Sequence, residues 1–125
     1  DRLFAVFTGA RIIGVARCSR HEDGLRVDAV CVLDEYRLKG FARPVMILLT
    51  GKCGRNEALY IHSKTEPVDF YGSLGFYLIP ESDLPKSIRE RFAFVMGDLD
   101  SIKVCPMRRE PGGVVAIKRE AAAEV

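Results

Sequence analysis

The stretch from residue 25 to residue 63 constrains the fold of this chain more than any other. Its first part, LRVDAVCVL (25–33), alternates and then becomes continuously apolar, which predicts a strand that enters from the surface and finishes buried. RPVMILLTGKCG (43–54) predicts a helix with Pro44 in its first turn, and EALYIHS (57–63) predicts another strand. A strand, a helix and a strand in this order indicate two parallel neighbours joined by a right-handed crossover.

The flanking segments extend this unit into a mixed sheet. Residues 3–8 and 12–19 predict a hairpin. Further strands at 76–80 and 101–107 alternate with short helices that begin near Thr65 and near Ser82 or Asp83, and residues 108–125 form a tail with no predicted element. We therefore expect a single α/β domain over residues 1–125, with a central parallel strand pair and flanking helices.

Charge and cysteine usage narrow the functional class. The net charge of +2 does not predict nucleic-acid binding, the apolar runs are too short to cross a bilayer, and no signal peptide is visible. The four cysteines form no CxxC pair, so we expect them to be reduced and structural, with Cys31 buried in its apolar run. These features favour a cytoplasmic protein without a metal site, a membrane partner or a nucleic-acid partner.

The stretch YRLKGFAR (36–43) places small residues and cations between the predicted strand and the predicted helix. Unpaired backbone N–H groups and the helix dipole make such a loop a natural anion site, and Gly40 and Ala42 allow close approach. The cations of the stretch are Arg37, Lys39 and Arg43. Neither a P-loop nor a GxGxxG pattern is present, so local physics predicts a phosphate or pyrophosphate site, with a solvated basic turn as the alternative.

Two motifs resemble the GNAT superfamily of N-acetyltransferases. RLKGFA (37–42) resembles the family signature (Q/R)xxGx(G/A), the preceding AVCVLDEY (29–36) is similar to the strand before it, and FYGSLGF (70–76) resembles the later landmark FYxxLGF. Two landmarks in the right order, separated by a helix and a strand, are more specific than either alone. The resemblance covers roughly residues 3–76 and extends more loosely to 107.

The sequence also departs from the family pattern. Members usually begin with a strand and two helices before the hairpin, and these have no counterpart here. We therefore expect these N-terminal elements to be missing from this sequence or supplied by another chain, and an incomplete sheet edge would favour a homodimer. Lys64 stands where many members carry an asparagine that contacts the cofactor.

The resemblance implies acetyl-coenzyme A as co-substrate and no metal ion. Its pyrophosphate would lie at the cationic loop, and its pantetheine arm would lie between the two parallel strands, which the family splays apart. The residues implied in cofactor binding are Val30, Cys31, Val32, Arg37, Leu38, Lys39, Gly40, Phe41, Ala42, Arg43, Phe70 and Tyr71.

Tyr71 is similar in position to the tyrosine that serves many relatives as general acid. A phenol with pKa about 10 giving its proton to a thiolate whose acid has pKa about 8.5 goes roughly 2 kcal/mol uphill. A hydrogen bond to the leaving thiolate is therefore the more favourable role, unless the pKa of Tyr71 is lowered. The alternative is an aromatic ring that only packs beside Phe70 and Phe76.

Asp28 is the candidate base, because it is the one acid in a largely apolar strand, and relatives often place a base there. Partial burial would raise its pKa, and its carboxylate could also attract a cationic amine. The alternative is an exposed residue paired with Arg26 or with a neighbouring strand. His62 is a reserve base that would titrate in the useful range, although a lone strand histidine is more often structural.

These residues together favour one function. We expect an N-acetyltransferase that passes the acetyl group of acetyl-coenzyme A to a primary amine of a small molecule or amino acid, by direct attack in a ternary complex. The amino-acid option rests on YLIPESDLPKSIRERF (77–92), which loosely resembles members that act on amino acids. A non-catalytic acyl-coenzyme A sensor or scaffold of the same fold is the alternative, and a general phosphate-binding protein is the third.

Overall fold

A hairpin of β1 (Arg2–Thr8) and β2 (Arg11–His21) starts the sheet, and β3 (Gly24–Val32) pairs antiparallel with β2. The computed structural model describes residues 1–37, 39–65, 67–96, 104–112 and 122–125, without the side chains of 92–96. All three strands lie where the alternation of β-forming residues predicts them.

Helix α1 (Ala42–Cys53) connects β3 to β4 (Leu59–Lys64). The two strands pair in parallel from Leu25–Leu59 to Val27–Ile61, which confirms the predicted parallel pair. Gly54 follows the last residue of α1, and its N–H donates to the Thr50 carbonyl at 2.9 Å. Its apolar residues pack against one face of the sheet, with Met46 and Leu49 fully buried.

The remaining described elements complete a mixed seven-stranded sheet in the order β5-β6-β4-β3-β2-β1-β7. They are α2 (Val68–Gly72), β5 (Phe76–Leu78), α3 (Lys86–Met96), β6 (Val104–Arg109) and β7 (Ala122–Glu124), with short 3-10 turns at Asp34–Tyr36 and Glu81–Asp83. The predicted mixed α/β fold with flanking helices is confirmed. In the part of the chain that is described, no helix is both long and apolar enough to cross a bilayer.

The last strand was not predicted. β7 pairs antiparallel with the outer edge of β1, from Phe4–Glu124 to Val6–Ala122, and β6 also extends to Arg109, into the predicted tail. Alanine favours helices in isolation, so only the long-range pairing makes Ala122–Glu124 a strand. β7 covers part of the β1 edge, so this edge is not open along its whole length and does not by itself favour a homodimer. The homodimer stays a prediction.

Helix α3 packs on the opposite face, where Leu84 and Ile88 contact Tyr60. The turn between β2 and β3 holds the first turn of α3, because the Asp23 carboxylate accepts hydrogen bonds from the backbone N–H and the hydroxyl of Ser87. Ser82 and Asp83, the predicted helix start, instead belong to the 3-10 turn before it.

Candidate active site

A gap opens between the two parallel strands where their pairing stops. β3 and β4 are paired only as far as Val27–Ile61. Asp28 is the extra residue of a bulge, because Arg17 pairs with Ala29 and Cys18 pairs with Val27. Beyond this point β3 continues against β2 alone and β4 against β6 alone. The facing edges at 28–32 and 62–64 therefore carry backbone groups that no partner strand occupies.

The strand residues predicted to contact the cofactor lie on this open edge of β3. Val30 and Val32 are half-buried, whereas Cys31 is exposed. The expectation that Cys31 is buried and that the strand finishes buried is wrong, and Leu33 is 42% exposed. The physical reason is the gap itself, because a strand that has lost one neighbour also loses the packing that the neighbour provides.

The cationic loop lies at the end of β3 and leads into α1. Gly40 has φ of 82°, and a Cβ built on it would meet no atom within 4 Å. Phe41, the residue before the helix, makes no side-chain capping bond, and the first turn contains no acidic residue. The loop therefore presents a glycine and an uncapped helix start to open space, as an anion site requires. The predicted contact Leu38 lies outside the described residues.

The three cations of the loop have different surroundings. Arg37 forms a 3.5 Å ion pair with Asp34, and the two side chains are 67% and 97% exposed. Lys39 is exposed. Arg43 instead donates from Nη2 to Ser73 Oγ at 3.1 Å, and its guanidinium lies 5.3 Å from the centre of the Phe70 ring. Arg43 therefore joins the start of α1 to the FYGSLGF segment, so that the two sequence landmarks are in contact.

Tyr71 lies on α2 and is only 8% exposed. Its ring makes edge contacts with Phe70 and Phe76, at centroid distances of 5.2 Å and 6.0 Å. Burial, with a smaller contribution from the nearby Cys31, raises the pKa of Tyr71 above its ordinary value. The phenol thus keeps its proton at neutral pH, which suits a hydrogen-bond donor better than a group that transfers its proton fully.

Asp28 is held by two side chains of β2. Its Oδ1 accepts from Arg17 Nε at 2.8 Å, and its Oδ2 accepts from Ser19 Oγ at 2.8 Å and from Arg17 Nη2 at 3.2 Å. Burial alone would raise the pKa of Asp28, but these bonds outweigh it and the pKa is lowered. The expected raised pKa is wrong, since the partners come from another strand. The three donors leave room for about one more at this carboxylate.

We expect Asp28→Asn to destabilise the protein by about 1–3 kcal/mol at pH 7, because charge-assisted bonds from Arg17 and Ser19 are lost. The folded-state pKa is lowered, so this stabilisation is present above the unfolded-state pKa of about 3.9 and disappears as pH falls through the folded value. Urea unfolding at pH 7 and at pH 3 measures the difference between the two proteins.

The control for this change is Asp34→Asn, which removes an exposed ion pair worth about 0.5 kcal/mol or less. A wild-type advantage over Asp28→Asn that stays constant between the two pH values would contradict the lowered pKa.

His62 is not the titrating residue that the sequence suggests. Burial, together with the positive charge of Arg26, lowers its pKa to about 4. The imidazole is therefore neutral throughout the physiological range, and the expectation that it titrates there is wrong. Among the described residues, no cluster of three or more potential metal ligands occurs.

Comparison with known proteins agrees with this geometry. The model of the acetyltransferase (GNAT) domain matches residues 1–88. The N-acetylglutamate synthase of Neisseria gonorrhoeae, complexed with coenzyme A and N-acetyl-glutamate, superposes with a TM-score of 0.67 at 16% identity over 85% of this chain. The ribosomal-protein-S18-alanine N-acetyltransferase of Escherichia coli superposes with a TM-score of 0.63 at 14% identity over 92% of this chain and 72% of that one.

A third structure, the Bacillus subtilis N-acetyltransferase YlbP in complex with coenzyme A, has a TM-score of 0.58 at 11% identity over 87% of this chain and 67% of that one. At such identities these likenesses show a shared fold. The chain spans 25% of the Neisseria enzyme and 64% of Escherichia coli ElaA, which is 15% identical. No curated protein sequence matches it.

Proposed function

Because the chain belongs to the GNAT acetyltransferase domain family, we propose that it transfers the acetyl group of acetyl-coenzyme A to a primary amine of a small molecule or amino acid. One observation carries the proposal. The gap between β3 and β4 opens at Asp28 and leads along a free strand edge to the glycine loop at the start of α1. This arrangement offers both a groove for an extended amide-containing chain and an anion site at its end.

The residues present fit the co-substrate. The pyrophosphate would be held by the backbone around Gly40, with Lys39 and Arg37 adding positive charge from the surface. The pantetheine amides would pair with the free backbone groups of residues 30–32, as a further strand would. Arg43 serves this site indirectly, by fixing α2 against the loop.

Acetyl-coenzyme A supplies a thioester carbonyl, which the neutral amine attacks. Asp28 draws the protonated amine into the site and accepts its proton directly or through water, although a lowered pKa makes it a stronger attractor than base. As the C–S bond breaks, Tyr71 stabilises the departing thiolate by donating a hydrogen bond to the sulfur. The nitrogen of the neutral amine thereby gains the acetyl group and releases one proton to solvent, and coenzyme A departs as its thiolate.

Thermal unfolding with acetyl-coenzyme A, coenzyme A or ATP, followed by thiol release from a panel of amines, tests this function. We expect stabilisation by both coenzyme A forms and amine-dependent thiol release. Stabilisation by ATP alone would sink the proposal. Binding of coenzyme A without turnover of any amine would favour the non-catalytic sensor. The free thiols of all four cysteines suit the reducing cytoplasm, which we propose as the location.

A further inference from the structure

Arg26 is a half-buried cation near the closed end of the gap. It lies on β3, one pair before the gap opens, where it is paired in register with Tyr60 of β4 and Ser19 of β2. Its side chain is half-buried, and its Nε is buried with no hydrogen-bond partner. Across the residues that the structure describes, Arg26 takes part in no hydrogen bond or ion pair. A guanidinium nitrogen that is removed from water without an acceptor is costly, and a bound anion would offset that cost.

The charges around Arg26 do not supply that anion. Asp28 attracts it, whereas Arg17 and Arg91 repel it, and burial lowers its pKa. The Asp28 carboxylate is already engaged by Arg17 and Ser19. The guanidinium groups of Arg17 and Arg26 therefore share one carboxylate, and Arg91 of α3 adds further positive charge near Arg26. Positive charge therefore exceeds negative charge around Arg26, which favours binding of a further anion there.

The negative charge that would accompany Arg26 is not the pyrophosphate of the coenzyme, because Arg26 lies too far from the glycine loop. Arg26 is at the closed end of the gap, whereas the glycine loop follows the other end of β3. Val32 alone is six residues away, which is about 20 Å along a strand. Only a group next to the reacting end of the site can reach Arg26.

We propose that Arg26 binds a carboxylate of the acceptor, and that the acceptor is a small amine which also carries a carboxylate, such as an amino acid. This inference rests on the proposed acetyl transfer and names its substrate class. Ser19, which pairs with Arg26, also donates to Asp28, so the two side chains lie on one face of the sheet with their backbones about 6–7 Å apart. One carboxylate and one ammonium group separated by a few bonds match this pair, and the planar guanidinium can hold a carboxylate through two hydrogen bonds.

The test uses the full chain saturated with coenzyme A, and compares amino acids with the amines that lack only the carboxylate, such as lysine with cadaverine and ornithine with putrescine. We expect the amino acids to raise the melting temperature more than their amines do. In turnover with acetyl-coenzyme A, we expect at least about a tenfold higher kcat/KM for the carboxylated member of the best pair.

Arg26→Gln should abolish this preference by raising the KM for the amino acid about 10- to 100-fold, with kcat changed little. Arg26→Lys should retain part of it, because a charge without the planar fork remains. The matched control is Arg55→Gln, an exposed arginine, which should keep the full preference. Arg26→Gln should melt no lower than the wild type, since it removes a half-buried charge for which desolvation outweighs the attraction of Asp28.

Two results would overturn the inference. The first is that no amino acid binds the coenzyme A complex better than its amine. The second is that Arg26→Gln keeps the preference of the wild type. In both cases the protein can still bind coenzyme A and acetylate simple amines. The proposed acetyl transfer would then be retained, and only the proposal of a carboxylate-bearing acceptor would be refuted. A failure to bind coenzyme A at all would instead refute the proposed function.

Discussion

Gly40→Glu is expected to weaken coenzyme A binding at least about 100-fold, which corresponds to 2.7 kcal/mol or more. Two causes act together. Gly40 has φ of 82°, a backbone conformation that costs a residue with a Cβ about 1–2 kcal/mol, so the loop will move. The new carboxylate would also extend into the open space in front of the loop and repel the pyrophosphate. Titration calorimetry with coenzyme A measures the loss.

Gly112→Glu is the matched control for this variant. Gly112 has φ of 74° and lies after β6, near Gly54 at the opposite end of the sheet. The same substitution therefore imposes similar backbone strain and the same charge far from the loop. We expect its affinity for coenzyme A to equal that of the wild type. If both variants lose affinity equally, the effect is general destabilisation, and unchanged affinity in Gly40→Glu refutes the role of the loop.

Tyr71→Phe is expected to lower kcat about 100-fold while leaving coenzyme A affinity and the melting temperature nearly unchanged. The ring contacts with Phe70 and Phe76 persist in phenylalanine, so packing is preserved. Only the hydroxyl that would donate to the departing thiolate is lost. Steady-state kinetics with a saturating amine, together with thermal unfolding, separates the two effects.

Tyr77→Phe provides the comparison for Tyr71. Tyr77 is 43% exposed on β5, and its hydroxyl bonds to Glu110 rather than to any part of the gap. We expect full turnover in this variant. Turnover that survives intact in Tyr71→Phe would mean that Tyr71 is a packing residue only.

The strands β1 to β4 and helix α1 could be predicted from the sequence, because their patterns depend on neighbouring residues. Pro44 and the apolar run after it predict α1, and the strands on either side predict the parallel pair. The motif RLKGFA by itself indicates an anion site. Together with FYGSLGF it resembles the GNAT family, and that resemblance implies that the anion is the pyrophosphate of coenzyme A. These parts of the site could be predicted from the sequence because each of them lies in a short continuous segment.

Features that depend on contacts between distant segments of the chain could not be predicted from the sequence. The pairing of β7 with β1 joins the two ends of the chain. The bulge at Asp28, which opens the gap and brings Arg17 and Ser19 to the carboxylate, depends on how β2 and β3 align. The pKa of Asp28 was therefore expected in the wrong direction. Likewise, only the three-dimensional structure shows that Arg43 contacts Phe70, and that Arg26 Nε is buried with no hydrogen-bond partner among the described residues.

A titration of 15N-labelled protein with coenzyme A, followed by the backbone amide resonances, tests the location of the site most directly. We expect the largest shifts at the amides of Lys39, Gly40 and Phe41 and along the free β3 edge at residues 30–32. The amides of β7, on the far side of the sheet, should stay unchanged. Large shifts confined to β7 and β1, or no shifts at the loop at saturating coenzyme A, would contradict a cofactor site between β3 and β4.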